Sequence, residues 1–174
     1  MEFYDGFLTY EEISAMAERA VKVLAPFAKC KWDDGVLHFT SDTISMPIPA
    51  VDLRKTLIGI RDEMLDDAED ERDAYSDDIG PARWLEADKK ISALAEAWDT
   101  VIGEDTKRTF EARNGEKMVA ITLHTAGLSV ERIKEIWRDC RNYLDFEEAV
   151  EWFYGKMQNG YCRPHLIKID DSLE

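Results

Sequence analysis

The sequence predicts an α+β domain of about five helices packed on a small antiparallel sheet, the sheet being made of two β-hairpins and a C-terminal strand. Three observations predict it. Apolar residues recur at three- and four-residue steps over five segments, two pairs of short alternating runs are joined by glycine-containing turns, and no low-complexity linker divides the chain. At 174 residues and 45% hydrophobic content, one well-cored domain is expected over residues 1–174.

The first helix opens with the capping box Thr9-Tyr-Glu-Glu12, carries Ile13, Ala17, Ala20, Val21 and Leu24 on one face, and is closed by Pro26. Lys29–Trp32 and Val36–Thr40, joined through Asp33-Asp34-Gly35, read as a hairpin. Ser41–Pro49 reads as a linker stiffened by Pro47 and Pro49, and a second helix starts near Ala50. Gly80-Pro81 breaks the chain and lets Pro81 begin a third helix, with Trp84, Ile91, Leu94, Ala95, Trp98, Val101 and Ile102 inward and Gly103 at its end.

Lys107–Arg113 and Lys117–His124 flank Asn114-Gly115, the strongest short hairpin signal in the chain. Ser129 caps a fourth helix through Ile133, Ile136, Trp137 and Cys140, and Asp145 with Glu148 opens a fifth that stops at Asn159-Gly160. Leu166–Ile169 is the last strand, before an acidic tail, Asp170–Glu174. The repeated ββαα order, with Leu37-His38 and Leu123-His124 each near the end of a hairpin, hints at duplication.

Charge is the dominant functional signal. The stretch Arg61–Asp78 holds ten carboxylates against two arginines, more than half of the net charge of −15. Upstream of it Leu53, Leu57, Ile60 and Met64 set the helical register, but beyond Leu65 only Ala68, Ala74 and Tyr75 are apolar. Five acidic pairs stand four residues apart (62/66, 63/67, 66/70, 67/71 and 69/73). Together they cost an isolated helix about 1–2.5 kcal/mol. The run also lies toward the C-terminal end of its helix, where the macrodipole disfavours negative charge. Helix stability therefore does not account for it. As a helix, the run would carry one charge per ~3 Å, within a factor of two of duplex DNA at one per ~1.7 Å.

A pI near 4.6 weighs against direct binding to DNA, RNA or an anionic membrane, so a partner recognised through charge should be basic. The N-terminus MEFYDGFLTYEE is acidic rather than basic and then apolar, which predicts neither a secretory signal nor a transit peptide. Cys30, Cys140 and Cys162, odd in number and widely spaced, do not make a disulfide framework, and a reducing cytoplasm is the expected setting.

Motifs for chemistry are sparse. Cys162-Arg-Pro-His165 has the spacing of half a zinc site and lacks a second pair. No Gly-x-Ser-x-Gly elbow or glycine-rich phosphate loop is present. Glu63-Met-Leu-Asp66 and Glu96-Ala-Trp-Asp99 are paired carboxylates that could hold Mg²⁺ if their helices packed together. This pattern resembles the acidic motifs of all-helical MazG-type nucleotide pyrophosphohydrolases, and the resemblance implies a metal-dependent nucleotide hydrolase. The first pair ends in Asp where that family has Glu, and two hairpins interrupt the helical order. The tryptophans Trp32, Trp84, Trp98, Trp137 and Trp152 fall mostly on inward faces, as core packing requires.

The sequence thus favours a non-enzymatic binding or inhibitor protein, without cofactor, that occupies a basic and nucleic-acid-binding surface of a partner protein. Asp62, Glu63, Asp66, Asp67, Asp70 and Asp73 would stand where phosphates lie, with Tyr75 as an aromatic anchor. In charge character the chain is similar to nucleic-acid-mimicking anti-restriction and anti-CRISPR proteins and to acidic immunity proteins. Alternatives are the hydrolase on Glu63, Asp66, Glu96 and Asp99, and an assembly subunit kept soluble by its acidic helix.

Overall fold

The computed structural model describes residues 7–75, 80–103, 107–115, 117–125, 127–160 and 162–170, the last four by their backbone only. Among the described residues five helices and six strands make the chain α+β, in two compact units, Met1–Gly103 and Glu104–Glu174. The expected single sheet is two. Each hairpin recruits its own third strand, giving antiparallel sheets of order β1-β2-β3 and β4-β5-β6. A lone two-stranded hairpin is marginal in water, and the nearest spare strand completes each one.

In the first unit, α1 (Tyr10–Val23) begins at the expected capping box, in which Glu12 Oε1 accepts from the Thr9 amide at 3.0 Å and the Glu12 amide donates to Thr9 Oγ1 at 3.3 Å. β1 (Lys29–Asp33) and β2 (Val36–Thr40) turn tightly through Asp34 and Gly35, both at positive φ. The segment read as a linker contains β3 (Ser45–Pro49), paired with β2 from Ser45↔Thr40 to Pro49↔Val36. Two prolines argue against a central strand, but they stand two residues apart on an edge strand. Both ring nitrogens can then lie on the outer side, where no ladder bond is lost.

A 3-10 turn (Ala50–Asp52) leads into α2 (Leu53–Asp73), and α3 (Pro81–Ile102) runs back along it with Pro81 in its first turn and Gly103, at φ 108°, as its cap. Ile13, Leu24, Leu37, Phe39, Ile48, Leu57 and Trp98 are wholly buried, with Trp98 of α3 packed 6.4 Å from Phe39 of β2. Arg19 of α1 donates twice to the Val101 carbonyl, at 3.1 and 3.0 Å, placing a cation at the negative end of the α3 dipole.

In the second unit, β4 (Lys107–Asn114) and β5 (Lys117–His124) pair up to Asn114↔Lys117, so Asn114 belongs to the strand and Gly115, at φ 62°, to the turn. α4 (Val130–Tyr143) and α5 (Phe146–Asn159) start at Ser129 and Asp145 as expected, and β6 (His165–Asp170) returns beside β5. Phe110, Trp137, Phe146 and Phe153 form one aromatic cluster with centroids 4.8–5.9 Å apart. The third strand precedes the helix pair in the first unit and follows it in the second, so the two units differ in topology.

Candidate functional site

The acidic run is helical as far as Asp73; Ser76, Asp77 and Asp78 at its end, like residues 171–174 of the acidic tail, lie outside the described residues. The register set by Leu53 and Leu57 carries past Leu65. Met64, Ala68, Arg72 and Tyr75 continue the inward stripe, all half-buried. Arg72 takes the place of an apolar residue by stacking 5.4 Å over Trp84, and its Nη1 donates to Asp88 Oδ1 at 2.9 Å. Hydrogen bonds to Asp88 and to Asp73 push the Arg72 guanidinium further up from its already basic range.

The opposite side of α2 is carboxylate. At ~3.6 residues per turn, Glu63, Asp66, Asp67 and Asp70 share an arc of about 100°, and their mean axial spacing is about 3.5 Å. All four are exposed, and none forms an ion pair among the described residues. Glu69 and Glu71 flank them in the same state. The two outer members of the predicted set differ. Asp62 is half-buried and accepts from Arg61 Nε and Nη2 at 3.1 and 3.0 Å, while exposed Asp73 accepts from Arg72 Nε at 3.1 Å. Tyr75 is half-buried, with the Arg83 guanidinium 5.9 Å from its ring centroid.

Both arginines of the run therefore turn away from the stripe. Arg61 is buried, as is Arg54, which lies about two turns earlier on the same side of the helix and stacks 5.5 Å over Phe7. Solvent meets α2 as more acidic than its sequence sum. Residues 1–103 hold 23 acidic against 11 basic residues, net −12, and residues 104–174 hold 14 against 11, net −3.

Other sequence candidates do not assemble. Glu63 and Asp66 point outward from α2, Glu96 and Asp99 are exposed on α3, and among the described residues no three His, Cys, Asp or Glu side chains gather as metal ligands. Cys162 is fully buried while His165 is exposed. Burial pushes the Cys30 thiol up to about 11 and raises Cys140 as well, opposite to what a nucleophilic thiolate needs. Trp98 is buried, and Trp32, Trp84 and Trp137 are half-buried, but Trp152 is 59% exposed.

Sequence reasoning missed two features. Beside α2 and α3 lies a cavity of about 620 Å³ of mixed character, in which Glu71, Arg83, Glu86 and Lys90 stand beside Phe27, Met64 and Leu94. A second, largely apolar one of similar volume sits between β5, β6 and α5. No helix is long and apolar enough to cross a membrane among the described residues. No protein-family model, curated protein or solved structure matches this chain.

Proposed function

We propose that this protein is a non-enzymatic inhibitor that docks the outer face of α2 into a basic, nucleic-acid-binding surface of a partner protein. The supporting observation is the stripe Glu63, Asp66, Asp67 and Asp70, exposed and without ion pairs among the described residues, on a helix anchored along its other side. Its mean axial spacing of about 3.5 Å is close to the ~3.4 Å of helix axis per phosphate on one strand of duplex DNA. A groove that accommodates a phosphate strand can accept such a row with little rearrangement. Association is fast at low ionic strength and falls steeply as salt is added.

The test compares wild type with the variant Glu63→Gln/Asp66→Asn/Asp67→Asn/Asp70→Asn as bait in host lysate, with captured proteins identified by mass. Support is a nucleic-acid-binding protein held by wild type, lost in the variant, and released both by 0.5 M salt and by competing duplex. Capture of the same proteins by both baits, or release by neither salt nor duplex, rejects the mimic.

A further inference from the structure

The second unit carries little of the net charge but holds a largely apolar cavity. It is about 620 Å³, within the range of small-molecule sites, and its walls come from Met118 and Val119 of β5, Phe146 and Val150 of α5, and Leu166 of β6. Such a wall places an apolar body. What remains is the head group.

Among the described residues, the polar lining is Lys117 of β5 and three residues of α5. Glu147, Glu151 and Tyr154 follow one another on a single face of α5, with Val150 between them at helical spacing. Lys117 of β5 donates to Glu147 Oε1 at 2.7 Å, and so ties strand to helix across the rim. The Tyr154 hydroxyl donates to the Pro164 carbonyl at 2.9 Å, which fixes the ring as wall and leaves no proton for an anion. Glu151 is exposed, lines the cavity, and has no ion pair among the described residues. Among the described lining residues, Lys117 and Glu147 offset each other in formal charge and Glu151 is the carboxylate that remains, and the chain as a whole adds a field of the same sign.

We infer that this cavity binds a small amphipathic cation, an aromatic or alkyl body seated on Val119, Phe146, Val150 and Leu166 with an ammonium group at Glu151. The inference does not depend on the α2 stripe. The two sets of residues belong to different units, and each can fail alone.

The probe is dansylcadaverine, an aromatic fluorophore with an alkylammonium tail, titrated onto the full chain, with anilinonaphthalenesulfonate as the anionic counterpart. Saturable fluorescence gain with dansylcadaverine, and a weaker response to the sulfonate, is expected. Glu151→Gln should weaken the cationic probe about two- to fivefold at low salt, the range for one exposed ion pair, and leave the sulfonate no weaker. Val150→Trp fills the cavity and should weaken dansylcadaverine about tenfold or more. Leu166→Lys, at a position 39% exposed, should do the same to the cation alone. Three results overturn the inference: no saturable gain with dansylcadaverine, equal or tighter binding of the sulfonate, or dansylcadaverine binding unchanged by both Val150→Trp and Leu166→Lys.

Discussion

Arg72 of α2 and Asp88 of α3 are joined at 2.9 Å while the same guanidinium lies over Trp84, so one side chain closes the two helices where their carboxylate content is highest. The acidic half of α2 has repulsive neighbours along its outer face and few apolar contacts. An interhelical cation answers both needs, because it contributes attraction where the helix alone has repulsion.

Arg72→Met keeps the stem and removes the charge. Amide exchange over residues 66–73 should quicken relative to wild type, while residues 53–60 keep their protection. Asp88→Asn should quicken the same amides less, since the stacking on Trp84 survives. Equal protection in Arg72→Met would show that the clasp is dispensable.

The stripe should be a stability cost that the fold carries. Neutralising Glu63, Asp66, Asp67 and Asp70 relieves four of the five i,i+4 repulsions. Stability should rise by about 0.8–2 kcal/mol at low ionic strength. The gain should shrink in 0.5 M salt, where exposed charges are screened. Denaturant titration at the two salt concentrations reads it directly, and a variant no more stable than wild type would remove the argument that these carboxylates are kept for something other than folding.

Trp98 is fully buried, yet its indole Nε1 has no hydrogen-bond partner among the described residues. Trp98→Phe discards that donor at a small loss of volume and should cost less than about 2 kcal/mol, whereas Trp98→Ala opens a cavity and should cost about 3–5 kcal/mol. A Phe variant as damaged as the Ala variant would mean that the indole shape, and not merely an aromatic ring, is required.

Cys30 is half-buried, and desolvation raises its pKa from 9.0 to about 11. At pH 8 its thiolate fraction is lower than that of an unperturbed cysteine by about two orders of magnitude, so iodoacetamide should label it far more slowly than the unfolded chain. The folded state holds this proton more tightly than the unfolded one. Its contribution to stability is therefore complete below pH 9 and lost as pH rises toward 11. Cys30→Ser should flatten that alkaline loss.

Helix boundaries were legible because they rest on local chemistry: Thr9 with Glu12, Pro81, Gly103, Ser129 and Asp145 act within one turn of themselves. The class α+β follows from the same signals. β3 was not legible, since Pro47 and Pro49 exclude a central strand and only the sheet order reveals an edge. Continuation of the α2 stripe was hidden for a different reason. Arg72 behaves as an inward residue only because Trp84 and Asp88 meet it from another helix. The carboxylates were plain in the sequence, but which of them stay unpaired depended on where Arg61 and Arg72 turned. The apolar cavity combines Val119, Val150 and Leu166 from three elements, a conjunction that no spacing encodes.

The prolines of β3 have a bearing on how the molecule behaves in a crowd of its own copies. An open sheet edge invites another chain to add a strand, and growth by that route needs backbone donors pointing outward. Pro47 and Pro49 supply none at two of the five positions of that edge. Polymerisation through this strand is thereby blocked covalently, by missing hydrogens rather than by charge, and the block persists at salt concentrations or pH values that would silence every carboxylate on the surface.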